Sequence, residues 1–335
     1  MARGGFERWF LRLADPEGRH EAREWPAGLD VHGFCRFADW HGVLPALVRN
    51  AERSAAEEAA GASRAGIELL REVADEILRP RIGLCMLLRK RLGAIETAFA
   101  DKNIPAVVIK GRTFADRLYP DPALRPFTDL DFLLPREAFD AAGGVLTALG
   151  YRRASQSGGK YPGKYAEETW RREDAADWAV ELHWNLVNSP PLRRRCSVAF
   201  GDLARDTAAP PRLSSSSLLL VAAVHAAMSH RFDRLQPLCD VLQAARGTAG
   251  PLDAESLRDT ASRTGSRLAL ATALDLAAAA FEEPACRDLA DSLMPVRGSC
   301  LARHLITPTT VVHSRRALAG IRRQLFRELL KRMCG

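Results

Sequence analysis

The chain has 335 residues, 47% of them apolar and 27% charged, enough for one large domain or two to three small ones around a sizeable core. Its formal net charge of +7 leans toward an anionic partner, but acidic residues are nearly as numerous as basic ones and are mixed among them, so composition does not single out nucleic acid. Cys35, Cys85, Cys196, Cys239, Cys286, Cys300 and Cys334 lie far apart with no CxxC pair. That spacing argues against a disulfide framework or a structural zinc site, and predicts reduced thiols in a cytoplasmic protein.

The N-terminal stretch carries charges every few residues and shows no secretory signal pattern. Residues 1–96 read as a helical region, because "WHGVLPALVRNAERSAAEEAAG" and "GIELLREVADEILRPRIGLCMLLRKRLGAIETAFADK" repeat apolar residues every three or four positions. Pro80 is expected to kink the second of these or to start a new helix. The period changes near residue 103, and residues 97–190 read as an α/β core. "NIPAVVIKG" predicts a buried strand ending in a turn at Gly111, and "RTFADRLY" a short helix. "YPDPALRPFT" is a proline-rich loop. "LDFLLP" is a second buried strand stopped by Pro135, and "REAFDAAGGVLTALGY" a helix capped by Gly150. "KYAEETWRRE" and "DWAVELHWNL" predict two further strands joined through a "DAAD" turn. Residues 191–213 form a Pro/Ser/Arg-rich connector, whose final serines cap the first helix of a C-terminal helical domain over 214–335. The longest apolar run, 218–228, is too short to span a bilayer, so no membrane span is expected.

Asp129 and Asp131 stand two apart at the start of a strand, where side chains two apart share a face. Two carboxylates held that close repel unless a proton or a cation lies between them. A hard divalent cation with oxygen ligands suits the pair; the plainer reading is a solvated turn. In "AVELHWNL" the polar face of a neighbouring strand carries Glu181, His183 and Asn185, and Glu181 would supply the third carboxylate of a two-metal site. Lys110 and Gly111 stand where a buried strand gives way to a helix, a place suited to phosphate, or simply a β–α turn with a surface lysine. Arg125, in the loop before the aspartates, could grip a phosphate bidentately or be an ordinary surface arginine.

In order, the strand ending in Lys110-Gly111, the Tyr-Pro loop, Arg125, the Asp129–Asp131 strand, the helix ending in Gly150-Tyr151 and the "ELHW" strand resemble a bacterial family of uncharacterised nucleotidyltransferases with the DNA-polymerase-β-like fold. The resemblance implies an α+β fold, a mixed sheet with helices flanked by N- and C-terminal helical regions. It implies Asp129, Asp131 and Glu181 as catalytic metal ligands for two Mg²⁺ ions, with Mn²⁺ as a substitute. Lys110, Gly111, Arg125 and His183 would bind the nucleotide. Lys110-Gly111 replaces the Gly-Ser that better-known relatives use for the triphosphate. His183 would orient the acceptor, assist leaving pyrophosphate, or hold Glu181 by a hydrogen bond.

The implied reaction moves an NMP from an NTP, such as ATP, to a hydroxyl. With a net charge of +7 and no recognisable RNA-binding module, a small-molecule or peptide acceptor ranks ahead of a tRNA. A non-catalytic nucleotide- or partner-binding protein that keeps the fold is the rival from another class. His225 and His230, five apart, are expected on different faces of a helix and so not as a metal pair. His225 reads as a core histidine, and His230 or Asp240 as groups that could reach the nucleotide. The last segment predicts an amphipathic helix with Leu318, Ile321, Leu325 and Leu329 as its apolar stripe and arginines elsewhere, a surface for RNA phosphates, anionic lipid or solvent.

Overall fold

The computed structural model describes residues 3–21, 25–26, 28–57, 61–154, 164–173, 178–206 and 211–334. The "DAAD" turn, residues 174–177, lies outside them. The first four helices are α1 (Arg3–Ala14), α2 (Val31–Trp40), α3 (Leu44–Glu57) and α4 (Gly61–Asp101). Asp30 caps α2 by accepting from the Gly33 N–H. α4 runs 41 residues with Pro80 inside it, so Pro80 does not start a new helix. An interior proline costs one backbone hydrogen bond, and the rest of the helix and its packing outweigh that loss.

The middle of the chain contributes β1 (Val107–Val108), α5 (Arg112–Leu118), β2 (Asp129–Leu133), α6 (Phe139–Ala148), β3 (Arg152–Arg153), β4 (Glu167–Arg171) and β5 (Ala179–His183). They form one mixed sheet of order β1-β2-β5-β4-β3. β2 and β5 run parallel, with Asp131 opposite Glu181 and Leu133 opposite His183, while β1–β2, β4–β5 and β3–β4 are antiparallel. The fold is α+β, as the motif order implies. Alternation sends Leu130, Phe132, Trp170, Val180 and Leu182 to one face, where they pack with Leu92, Ile95 and Phe99 of α4 and Leu146 of α6. The other face carries the acids, and its Val107, Ile109 and Leu133 join a second, larger cluster.

That larger cluster is helical and unites the two ends of the chain. The later elements are α7 (Pro190–Arg193), α8 (Ser215–Val224), one π-helical turn (His225–Ser229), α9 (Gln236–Ala245), α10 (Ala254–Arg263), α11 (Arg267–Phe281), α12 (Pro284–Ser292), α13 (Ser299–Leu305), α14 (Pro308–Val312) and α15 (Ala317–Met333). Ser214 caps α8 by accepting from Ser217 N–H. Phe10 and Leu13 of α1 share a core with Leu238 of α9 and Leu274 of α11. A buried ionic knot fastens them: Arg246 donates to Asp15 at 2.6 and 2.9 Å and to Glu283 at 2.6 Å.

α15 turns a different face inward than the sequence suggests. Ala319, Phe326, Leu329 and Leu330 are buried, whereas Leu318, Ile321 and Leu325 are 62%, 57% and 52% exposed. The seat available against α13 and α14, not the most apolar stripe, fixes its rotation. All seven cysteines are free. Among the described residues no helix is long and apolar enough to cross a membrane.

Candidate active site

The in-register parallel pairing of β2 and β5 sets Asp131 beside Glu181 on one face, with His183 one pleat further along β5. Asp131 is 3% exposed and is neutralised from two sides. Its Oδ1 lies 2.8 Å from Lys110 Nζ and 3.2 Å from His183 Nε2. The same His183 nitrogen is 3.4 Å from Glu181 Oε2. Burial alone would favour neutral Asp131, but the Lys110 ammonium and the His183 hydrogen bond hold it well below the usual carboxylate range. Burial pulls His183 down, and its hydrogen bonds to Asp131 and Glu181 carry it up to about 9. Burial likewise opposes the charge on Lys110, yet Asp131 and Glu181 push it up to about 12. The cluster is a balanced set of two acids and two cations.

Asp131, Glu181 and His183 each offer a ligand atom, all within 4.8 Å of one another. This donor set fits a divalent cation, which would take over from Lys110 and the His183 proton the task of neutralising the acids. The group differs from the one expected, since His183 belongs to it and Asp129 does not. Asp129 shares the face but accepts from Thr128 Oγ1 at 3.2 Å. Burial first, and then the charges of Asp131 and Glu181, raise its pKa. Of the roles expected for His183, a contact with Glu181 is present at 3.4 Å, and a hydrogen bond to Asp131 is there as well, at the shorter 3.2 Å.

Gly111 begins α5 with φ of +57°, and a Cβ there would meet the Asp129 carbonyl oxygen at 3.3 Å. Glycine therefore lets the Lys110 turn lie against the start of β2. Arg125 is buried against α9. It is 5% exposed, with Nε and Nη2 donating at 2.8 Å each to the two carboxylate oxygens of Asp240. Tyr119 donates its hydroxyl to the same carboxylate at 2.8 Å. Tyr119 and Arg125, two landmarks of the motif loop, thus both end on α9, and Asp240 joins the loop to that helix.

Three features escaped the sequence reading. Glu167 lies opposite His183, with Oε2 3.8 Å from His183 Nδ1. Alternation within "EET" holds the signal, because Glu168 points to the other face and pairs with Arg153 at 2.7 Å. His225 and His230 are brought together by the π turn, whose i→i+5 bond from His230 N–H to His225 O measures 3.2 Å. Their rings meet edge to face at 4.6 Å, contrary to the α-helical expectation. His225 Nδ1 is buried without a hydrogen-bond partner among the described residues. Burial, followed by the nearby Lys110 charge, depresses its pKa.

The sequence profile of a family described as "uncharacterised nucleotidyltransferase" matches residues 27–282, which take in the whole sheet, the acid cluster and α9. The chain belongs to that family. No curated protein matches it. It is a nucleotidyltransferase with a buried Asp/Glu/His group able to bind a metal.

Proposed function

We propose that this nucleotidyltransferase moves an NMP from an NTP to an acceptor hydroxyl and releases pyrophosphate. The observation that supports this best is the meeting of Asp131, Glu181 and His183 beside the Lys110 ammonium on one face of the sheet. Asp131 and Glu181 would hold Mg²⁺, with Asp129 beside them; the His183 imidazole also suits Mn²⁺. A divalent cation bound there neutralises phosphate charge and favours ionisation of the attacking hydroxyl.

The chain's own groups supply the rest. Lys110, charged throughout the neutral range and released from Asp131 by a competing cation, meets the phosphates. His183, held between Asp131 and Glu181 and backed by Glu167, fixes the orientation of both acids. The acceptor oxygen bonds to the α-phosphorus, and the bond from that phosphorus to its bridging oxygen breaks. The hydroxyl proton leaves to solvent past Glu181, which is 24% exposed. Positioning and charge neutralisation account for most of the acceleration in such transfers.

Thermal melting of the full chain with Mg²⁺ and each NTP tests the reading. At ligand near 100 times its Kd, the native state gains about 2.7 kcal/mol. Asp131→Asn and Asp129→Ala should each abolish that gain while leaving a cooperative melt without ligand. NTP stabilisation that is indifferent to metal and to both substitutions would overturn it. Labelled α-phosphate recovered on an acceptor as intact NMP separates transfer from hydrolysis.

A further inference from the structure

The net charge of +7 hides an uneven distribution. Arg231 and Arg234, in the segment between the π turn and α9, Arg315 before α15, and Arg323 and Arg327 on α15 gather on one side of the helical half. Arg231 reaches Gln324 of α15 at 3.4 Å. Arg323 donates to Ser314 O at 2.8 Å, and Arg327 to Ser189 Oγ at 3.1 Å. Arg234 and Arg315 stack on Trp40, at 4.3 and 4.0 Å from the ring centre.

Among the described residues none of the five is ion-paired, although other arginines of the chain are. Asp233, the carboxylate in their midst, bonds His230 at 3.1 Å. Glu328, beside Arg327, bonds Lys331 at 2.6 Å. Like charges gathered on one surface repel, and that potential favours an anionic partner. The mutual repulsion is felt at Arg231, where burial and then Arg327 and Arg323 disfavour the charged form.

We propose that this arginine face binds the phosphodiester backbone of an RNA, and that the RNA carries the acceptor hydroxyl. The inference deepens the transferase reading and rests on it. Planar guanidiniums take phosphate oxygens bidentately and stack on bases, which suits a repeating backbone better than a single small anion. Side-chain contacts run inward from the face: Asp233 holds His230, and His230 stacks on His225. Ser189, under Arg327, lies six residues beyond His183 on the exit from β5. The charge distribution reverses the ranking of acceptors that net charge alone suggests.

Fluorescence anisotropy of a labelled tRNA with the full chain tests this. Saturable binding is expected, with a log–log salt slope of about −3 or steeper from five arginines at roughly −0.7 each. Arg323→Glu/Arg327→Glu should weaken it tenfold or more. Arg315→Gln, at an exposed position whose contact is the Trp40 ring, should weaken it severalfold and keeps the test open if the double variant fails to fold. Asp131→Asn should bind tRNA at wild-type strength while losing the Mg²⁺–NTP melting shift. A folded wild type that does not bind tRNA, or variants that bind it equally well, overturns the proposal. So does displacement of tRNA by poly-glutamate at equal charge, which would assign the face to an acidic peptide. Loss of the transferase reading alone would show as tRNA binding without any NTP shift in the wild type.

Discussion

Asp131 holds its charge because Lys110 and His183 flank it, and the same logic extends outward to Glu167. Glu167 stands behind His183, as a carboxylate behind a ligating imidazole does when it fixes the ring and raises its basicity. Glu167→Gln should weaken Mn²⁺ binding about tenfold, measured by titration calorimetry, with little change in melting temperature. The Arg125–Asp240 pair has a different purpose. Asp240 is fully buried, so Asp240→Ala strands a guanidinium in the core and should cost about 3–5 kcal/mol in urea unfolding. Arg125→Met/Asp240→Leu should recover much of that loss, because it removes both charges together. That Asp129 and Asp131 share a face could be read from the sequence, because a strand's period of two states which side chains lie together. Arg125 could not, because its partner lies 115 positions away on another element.

At the scale of elements, local rules hold where the backbone is regular and fail where packing chooses. The Lys110-Gly111 turn was legible from its glycine. Gly111→Ala should destabilise by about 1–2 kcal/mol, since φ is positive and the Asp129 carbonyl stands in the way. Pro80 does not begin a new helix, because α4 continues through it. Pro80→Ala restores a hydrogen bond and should stabilise by about 1–3 kcal/mol, read as a higher urea midpoint at constant slope. The His225–His230 contact was beyond sequence reasoning, because a π turn inserts one residue into the helical period without a composition signature. The rotation of α15 was equally hidden: Leu318, Ile321 and Leu325 are as apolar as the residues that won the core.

The whole molecule is held together where its ends meet. His41, at the end of α2, is 1% exposed and hydrogen-bonds the Val312 carbonyl of α14 at 3.2 Å. Burial pushes its pKa down to about 4 despite that bond. Its ordinary value is about 6.5, so the unfolded chain binds a proton between pH 6.5 and 4 that the native state refuses. Stability should fall as pH drops through that window, by about 2 kcal/mol at pH 5, and then level off. His41→Gln should flatten the dependence when both proteins are melted across the range. The α+β class was legible from the change of period near residue 103, but the shared core of the two flanking helical regions was not, because nothing local in α1 names α9 and α11 as its partners.

That shared core dictates an order of events during synthesis. Phe10 can pack on Phe34 and Phe37 of α2 as soon as that helix is made, yet Arg246, the partner of Asp15, is translated more than two hundred residues later. Until then the Asp15 carboxylate lacks the guanidinium that neutralises it, and the seam that α1 shares with α9 and α11 stays open. Truncated products should consequently be sticky and chaperone-dependent in a way the finished protein is not.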